Sequence, residues 1–143
     1  MMDKMSEQER KTSDRLADLR AREKNEPIAS FLKMRLLELS PGYAKVAMKI
    51  IPEYLNFNGL TFGGIIMSVA DQAFAYAGNS AVFPSVASQF NIHFIAAPEI
   101  GDELTAECRV VRSGRRVVIV ELIVSNQEGK LIAKASATGI PVG

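Results

Sequence analysis

Cysteine occurs once in the 143 residues, at Cys108, and histidine once, at His93; tryptophan is absent. A lone cysteine excludes a disulfide framework and any site built from several thiolates. A lone histidine excludes paired-imidazole metal motifs of the HExxH type. No run of about 18 apolar residues occurs, so no helix is expected to span a membrane. Charge of one sign is not in excess either: 17 Lys and Arg face 16 Asp and Glu, a net charge of +1. That balance leaves no electrostatic footprint for a nucleic acid. The first 27 residues carry 14 charges and no apolar stretch long enough for a secretory signal. Together with the single thiol, this makes the cytoplasm the expected setting.

What is present is an apolar majority. Hydrophobic residues make up 48% and charged residues 23%, enough to build a packed core. At about 100–200 residues per domain the length fits one domain. The charges concentrate at the front. Residues 1–27 hold seven cations and seven anions, mostly good helix formers, with Glu7/Lys11 and Asp18/Arg22 spaced i,i+4. They read as a charged helical extension over roughly 6–24, or else as a frayed tail, ahead of a main domain at 28–143.

Residues 31–51 read as two strands joined at Ser40-Pro41-Gly42-Tyr43, because Pro-Gly marks a turn and Ala44, Val46, Met48 and Ile50 alternate with Lys45, Ala47 and Lys49. Residues 63–80 are too long for one strand. They open on Gly63-Gly64, close on Gly78-Asn79, and hold Ala70, Ala73, Ala75 and Ala77 between. The spacing predicts a helix buried on most sides. Four further strands are expected at 85–96, 102–112, 116–126 and 130–140. The breaks at 98–101, 113–115 and 127–129 read as short connections of hairpin type. Two strands, a core helix and four strands make an α+β architecture.

The most informative stretch is 54–98. Among its 45 residues Asp71 is the only Asp, Glu, Lys or Arg. A buried carboxylate without a partner is costly, so it is normally paired, protonated or used. Asp71 either bonds a neighbouring loop or carries chemistry. Gly63 and Gly64 open the same helix, where unpaired N–H groups and the macrodipole favour negative charge. Glycines let a ligand come close to those donors, which is the hardware of an oxyanion hole. Seven residues separate Gly64 from Asp71, so both lie on one helix face. Asn56 and Asn58 precede them, either to position a water or carbonyl, or simply as turn residues. Arg112, Arg115 and Arg116 flank Ser113-Gly114, where they either hold phosphates or remain solvated.

The run Asn56-Phe57-Asn58-Gly59-Leu60-Thr61-Phe62-Gly63-Gly64, continued by Ile65 to Ser80 with Ala70-Asp71-Gln72-Ala73-Phe74-Ala75, resembles the hotdog-fold acyl-CoA thioesterases, in particular the phenylacetate-degradation (PaaI) subfamily. The resemblance extends over roughly 30–142. It implies a long antiparallel sheet of about six strands wrapped around one central helix. It implies hydrolysis of acyl-CoA with no metal and no cofactor beyond the coenzyme A of the substrate. It places the catalytic acid, as general base or nucleophile, on Asp71, the oxyanion donor on Gly64 or Gly63, and the loop asparagine on Asn56. The strand serine of some relatives falls on Ala87, with Ser85 and Ser88 close by. The turns at 98–103 and at Arg112, Gly114, Arg115 and Arg116 fall where the family often holds the nucleotide of coenzyme A. The family histidine falls on Phe62, a residue that neither donates nor accepts a hydrogen bond. That departure keeps a second reading open, a non-catalytic acyl-CoA or lipid-binding protein.

His93 alternates with Ile92 and Phe94, so it is expected on the face away from the helix. Cys108, sharing a face with Leu104, Ala106 and Val110, is expected as a buried structural thiol. One helix covers only one face of a six-strand sheet. The open face and the edge strand 85–96 are therefore expected to bring a second copy, as a homodimer or a dimer of dimers.

Overall fold

The computed structural model describes residues 4–142. Helix α1 spans Glu7–Glu23. Ser6 caps it: its hydroxyl accepts from the Glu9 N–H at 3.1 Å, and the Glu9 carboxylate accepts from the Ser6 N–H at 3.4 Å. This reciprocal box satisfies two of the donors that every helix start leaves orphaned. The i,i+4 pairs form, Lys11 to Glu7 at 3.2 Å and Arg22 to Asp18 at 2.9 Å. The helix is not frayed: Leu19 is buried, and Arg20 donates to the Leu39 carbonyl at 2.6 Å.

A short helix α2, Pro27–Leu32, follows. Here the strand expected from residue 31 is corrected. Pro27 presets the first helical turn, and Lys33 stops it in the left-handed region at φ 55°. Strands β1 (Arg35–Ser40) and β2 (Tyr43–Lys49) then form the expected hairpin, with Gly42 at φ 75°. After a 3₁₀ turn at Pro52–Tyr54 comes helix α3, Gly63–Ala81, then β3 (Ser85–Phe94), β4 (Glu103–Ser113), β5 (Val118–Ser125) and β6 (Leu131–Pro141).

The six strands form one antiparallel sheet in the order β1-β2-β4-β5-β6-β3. The connections β4–β5 and β5–β6 are hairpins, but 95–102 is not: it carries the chain from β3 at one edge to β4 between β2 and β5. Period-two alternation is plain in β5, where Val118, Val120, Leu122 and Val124 are buried and Ile119, Glu121 and Ile123 face out. The buried set meets Val69, Ala70, Ala73, Phe74 and Ala77 of α3 in one core. Each such Val or Leu contributes about 1.5–3 kcal/mol on burial. Alanines on α3 let the helix settle close to the sheet, and Gly139 of β6 leaves room for the Phe74 ring. Cys108 lies in this core, its thiol pushed up to about 12 by burial, as expected for a structural residue.

The outer sheet face is more polar than anticipated. Lys45 pairs with Glu107 at 3.8 Å, Arg109 lies over the Tyr43 ring at 4.5 Å, and Glu121 and Lys134 also face out. His93 is on this face, opposite Lys134, while Ile92 packs against the core. The edge strand β3 remains largely exposed, with Val86 and Phe94 prominent. Among the described residues no helix is long and apolar enough to cross a membrane.

Candidate active site

The loop before α3 is built by Asn56. Its side-chain oxygen accepts from the N–H groups of Asn58 at 2.9 Å and Leu60 at 3.2 Å, and its own N–H donates to the Leu60 carbonyl at 2.7 Å. The oxygen is thus spent on the turn, and the amide NH₂ is the part of Asn56 left for a ligand. Asn58 serves this turn through its backbone. Two further bonds seat the loop: Phe62 N–H to the Tyr54 carbonyl at 2.8 Å, and the Thr61 hydroxyl to the Pro98 carbonyl at 3.2 Å. The second brings the 98–102 turn beside the start of α3.

Phe62 is the N-cap of α3 and supplies no side-chain cap. Among the described residues the N–H groups of Gly63 and Gly64 have no acceptor, while Ile65 N–H bonds back to the Phe62 carbonyl at 2.9 Å. Two donors therefore point out of the helix start together with the positive end of its dipole. Both glycines are crowded by aromatic rings. A Cβ at Gly63 would lie 3.2 Å from Phe94 Cζ, and one at Gly64 only 2.6 Å from Phe62 Cε1. The two rings are 53% and 56% exposed, so they flank the donors without sealing them off. Phe94 escaped the sequence reading because it lies 31 residues from Gly63 and nothing local links them. An apolar cleft of about 290 Å³, lined by Asn56, Leu60, Gly63, Ile66, Phe94 and Ile95 among others, opens beside the pair.

Asp71 is not buried, contrary to the expectation. Gly64 and Asp71 are exposed and Ser68 and Ala75 half-buried, along one stripe of α3 that the sheet leaves open. The spacing argument for Gly64 and Asp71 thus holds, and the burial argument fails. Asp71 accepts no hydrogen bond and pairs with no cation among the described residues. Its carboxyl is partly desolvated nonetheless, and this holds it above the ordinary aspartate range.

The hairpin arginines stand elsewhere. Gly42 N–H donates to Ser80 Oγ at 2.9 Å, and Val110 N–H to the Gly42 carbonyl at 2.8 Å. These bonds place the β4–β5 tip, with exposed Arg112, Arg115 and Arg116 around Gly114, at the C-terminal end of α3. Gly63 and Gly64 lie at the other end, about 25 Å away along the axis. One chain does not bring the two groups together. Ala87 and Ser88 are exposed on the edge strand, and Ser85 is buried beneath Gly78.

A thioesterase superfamily profile matches residues 58–133, just over half of the chain. The acyl-coenzyme A thioesterase PaaI of Escherichia coli (strain K12) is 34% identical over 109 residues, spanning 76% of this chain and 78% of that protein. The solved structure of the E. coli PaaI protein, from the phenylacetic acid degradation operon, matches with a TM-score of 0.85 at 29% identity, over 94% of this chain and 95% of that one. A Streptococcus mutans protein solved with acetyl CoA bound matches with a TM-score of 0.74 at 28% identity, over 77% of this chain and 89% of that one. With a matching core helix, sheet and profile, the chain belongs to the thioesterase superfamily, as a hotdog-fold enzyme of the PaaI type.

Proposed function

We propose that the protein hydrolyses acyl-CoA thioesters to the free acid and coenzyme A. The reading is carried by one observation: the N–H groups of Gly63 and Gly64, without an acceptor among the described residues, open the helix whose exposed stripe carries Asp71, a carboxylate with neither hydrogen-bond partner nor counter-ion among those residues. The N–H pair stabilises the oxyanion that forms when the thioester carbonyl is attacked. Asp71, as general base, takes a proton from water; the water oxygen bonds to the carbonyl carbon, the C–S bond breaks, and the proton passes to the departing sulfur. The Asn56 amide orients the carbonyl or the water. Acting instead as nucleophile, Asp71 would form a mixed anhydride that water then opens.

Helix geometry makes a second copy part of this reading. Seven residues put Asp71 about 10 Å along the axis from Gly64, and the N–H groups point away from it, out of the helix start. A carbonyl held by Gly63 and Gly64 is therefore out of reach of Asp71 in the same helix. We assign Asp71 of one copy to the thioester held by the glycines of its partner. The same pairing lets Arg112, Arg115 and Arg116, beside Gly114, meet the coenzyme A phosphates, which their distance within one chain prevents.

Phe62 sustains the alternative, a protein that binds acyl-CoA without hydrolysing it, because its ring leans over Gly64. A panel of acetyl-, hexanoyl-, phenylacetyl- and palmitoyl-CoA, followed with a thiol reagent, separates the two. Turnover that falls about 100-fold or more in Asp71→Ala supports the enzyme. Tight binding with no turnover on any member supports the alternative.

A further inference from the structure

The sheet has two outer edges, β1 and β3, and they are finished differently. Along β3, from Val86 to Phe94, no side chain of another element bonds the backbone among the described residues. Along β1 two side chains of α1 do so. Ser40 and Tyr43 pair across the hairpin turn, so Leu39, the next residue back, turns its backbone groups away from β2. Arg20 donates to that Leu39 carbonyl at 2.6 Å, and the Glu23 carboxylate accepts from the Leu36 N–H at 3.2 Å. A cation thus meets an outward acceptor and an anion an outward donor, the two kinds of group that a further strand would pair with. Leu37, between them, bulges out of the register with β2 and bends the same edge. Only a narrow cleft of about 150 Å³ separates residues 36–39 from Arg20 and Glu23, which leaves no room for another strand.

Further contacts hold α1 in this place. Leu16 and Leu19 pack on the core, and Arg15 donates to the Ala81 carbonyl at the end of α3 at 3.4 Å. Just past α1, Glu26 accepts from the Gln72 amide at 2.5 Å and the Tyr76 hydroxyl at 2.8 Å. The charges of the N-terminal extension therefore divide. Glu7 with Lys11 and Asp18 with Arg22 pair along the helix, whereas Arg15, Arg20, Glu23 and Glu26 reach other elements.

We infer that α1 is a plug: it occupies the β1 edge against the β1 strand of a second copy, and so leaves β3 as the one edge open to strand pairing. The strand is complementary to itself. One register of an antiparallel copy sets Arg35 of each chain opposite Glu38 of the other, with Leu36 opposite Leu37. A chain with one open edge closes as a pair, whereas a chain with two open edges is extended at both and grows without closing. The charged extension thereby gains a role that does not depend on the proposed hydrolysis: it keeps the assembly finite.

Two variants open the edge. Arg20→Ala/Glu23→Ala removes the two bonds, and the Leu36 amide should then exchange with solvent about tenfold faster or more. Leu19→Asp sets a charge in the buried seat of α1 and detaches the helix. Light scattering should then show assemblies that grow with concentration from the micromolar range upward, where the wild type keeps one size. Adding Leu36→Pro to Leu19→Asp deletes the outward N–H and keeps an apolar side chain against the core, a change that an edge strand tolerates. It should restore the wild-type size. An unchanged Leu36 amide in the first variant, or a wild-type size in the second, overturns the inference. Growth that Leu36→Pro does not reverse overturns it too, because apolar surface bared by the helix would then be joining the chains. If Leu19→Asp does not fold, Arg15→Ala/Arg20→Ala/Glu23→Ala takes its place in the same comparison.

Discussion

The ring of Phe62 rests on the α-carbon of Gly64, so close that a methyl group there would meet Phe62 Cε1 at 2.6 Å. Gly139 and Phe74 make a similar pair, at 2.9 Å, but Phe74 is buried in the core and Phe62 is exposed. The same Gly→Ala change should therefore act oppositely at the two places. In Gly64→Ala the exposed ring swings aside; the fold keeps its Tm, and kcat/KM drops about tenfold or more as the oxyanion donors are obstructed. In Gly139→Ala the ring has nowhere to go. Overpacking of this kind costs about 1–3 kcal/mol, a Tm lower by roughly 3–9 °C for a chain this size, with activity per folded molecule retained. Thermal melts and initial rates on both variants check the contrast.

Phe62→His restores the residue that the resemblance places at this position. The proposed oxyanion donors are backbone groups of Gly63 and Gly64, and Phe62 makes no side-chain cap bond to the helix start. The expected change in kcat is tenfold or less, about 1.4 kcal/mol. An inert wild type that gains turnover in Phe62→His would show that catalysis was lost with the histidine.

Much of the fold was legible because it is periodic. The alternation in β5 and the alanine-rich, glycine-bounded run of α3 each carry a signal longer than one turn or one pleat. Helix α2 has only six residues, and its Ile28, Phe31 and Leu32 merge into the apolar pattern of β1. Topology was not legible: nothing in residues 85–94 says that this strand pairs with β6 at the far edge, so 98–101 passed for a hairpin. The site was half legible. Spacing put Gly64 and Asp71 on one face, but the charge-free run around Asp71 looks the same whether its own chain or a second copy would cover that face. The separation of the hairpin arginines from Gly63 depends on strand order, which spacing does not encode.

Partial desolvation raises the Asp71 carboxyl above its ordinary value, and this has consequences of opposite sign for activity and stability. A general base works as the carboxylate. The acidic limb of kcat/KM should thus lie at higher pH than an exposed aspartate would give, and activity rises with pH through it. The penalty on the charged form exists only in the folded state. It is full above the folded-state pKa and disappears once both states are protonated. Asp71→Asn should raise Tm at neutral pH and leave it nearly unchanged at about pH 3, while abolishing most turnover. A Tm that falls on substitution at pH 7 would mean that Asp71 stabilises the fold.

The assignment of Asp71 and the glycines to different copies can be tested by complementation. Asp71→Ala lacks the base, and Gly64→Val blocks the donors. In a mixed dimer one site combines the intact Gly64 of the first variant with the intact Asp71 of the second, and the other site carries both defects. Random mixing after reversible dissociation gives half mixed dimers, each with one good site of two, so about a quarter of wild-type activity returns from two inactive preparations. A site contained within one chain gives no rescue at any ratio. Light scattering on the same samples must show assemblies of at least two chains; a 15.6 kDa species at micromolar concentration contradicts the shared site directly.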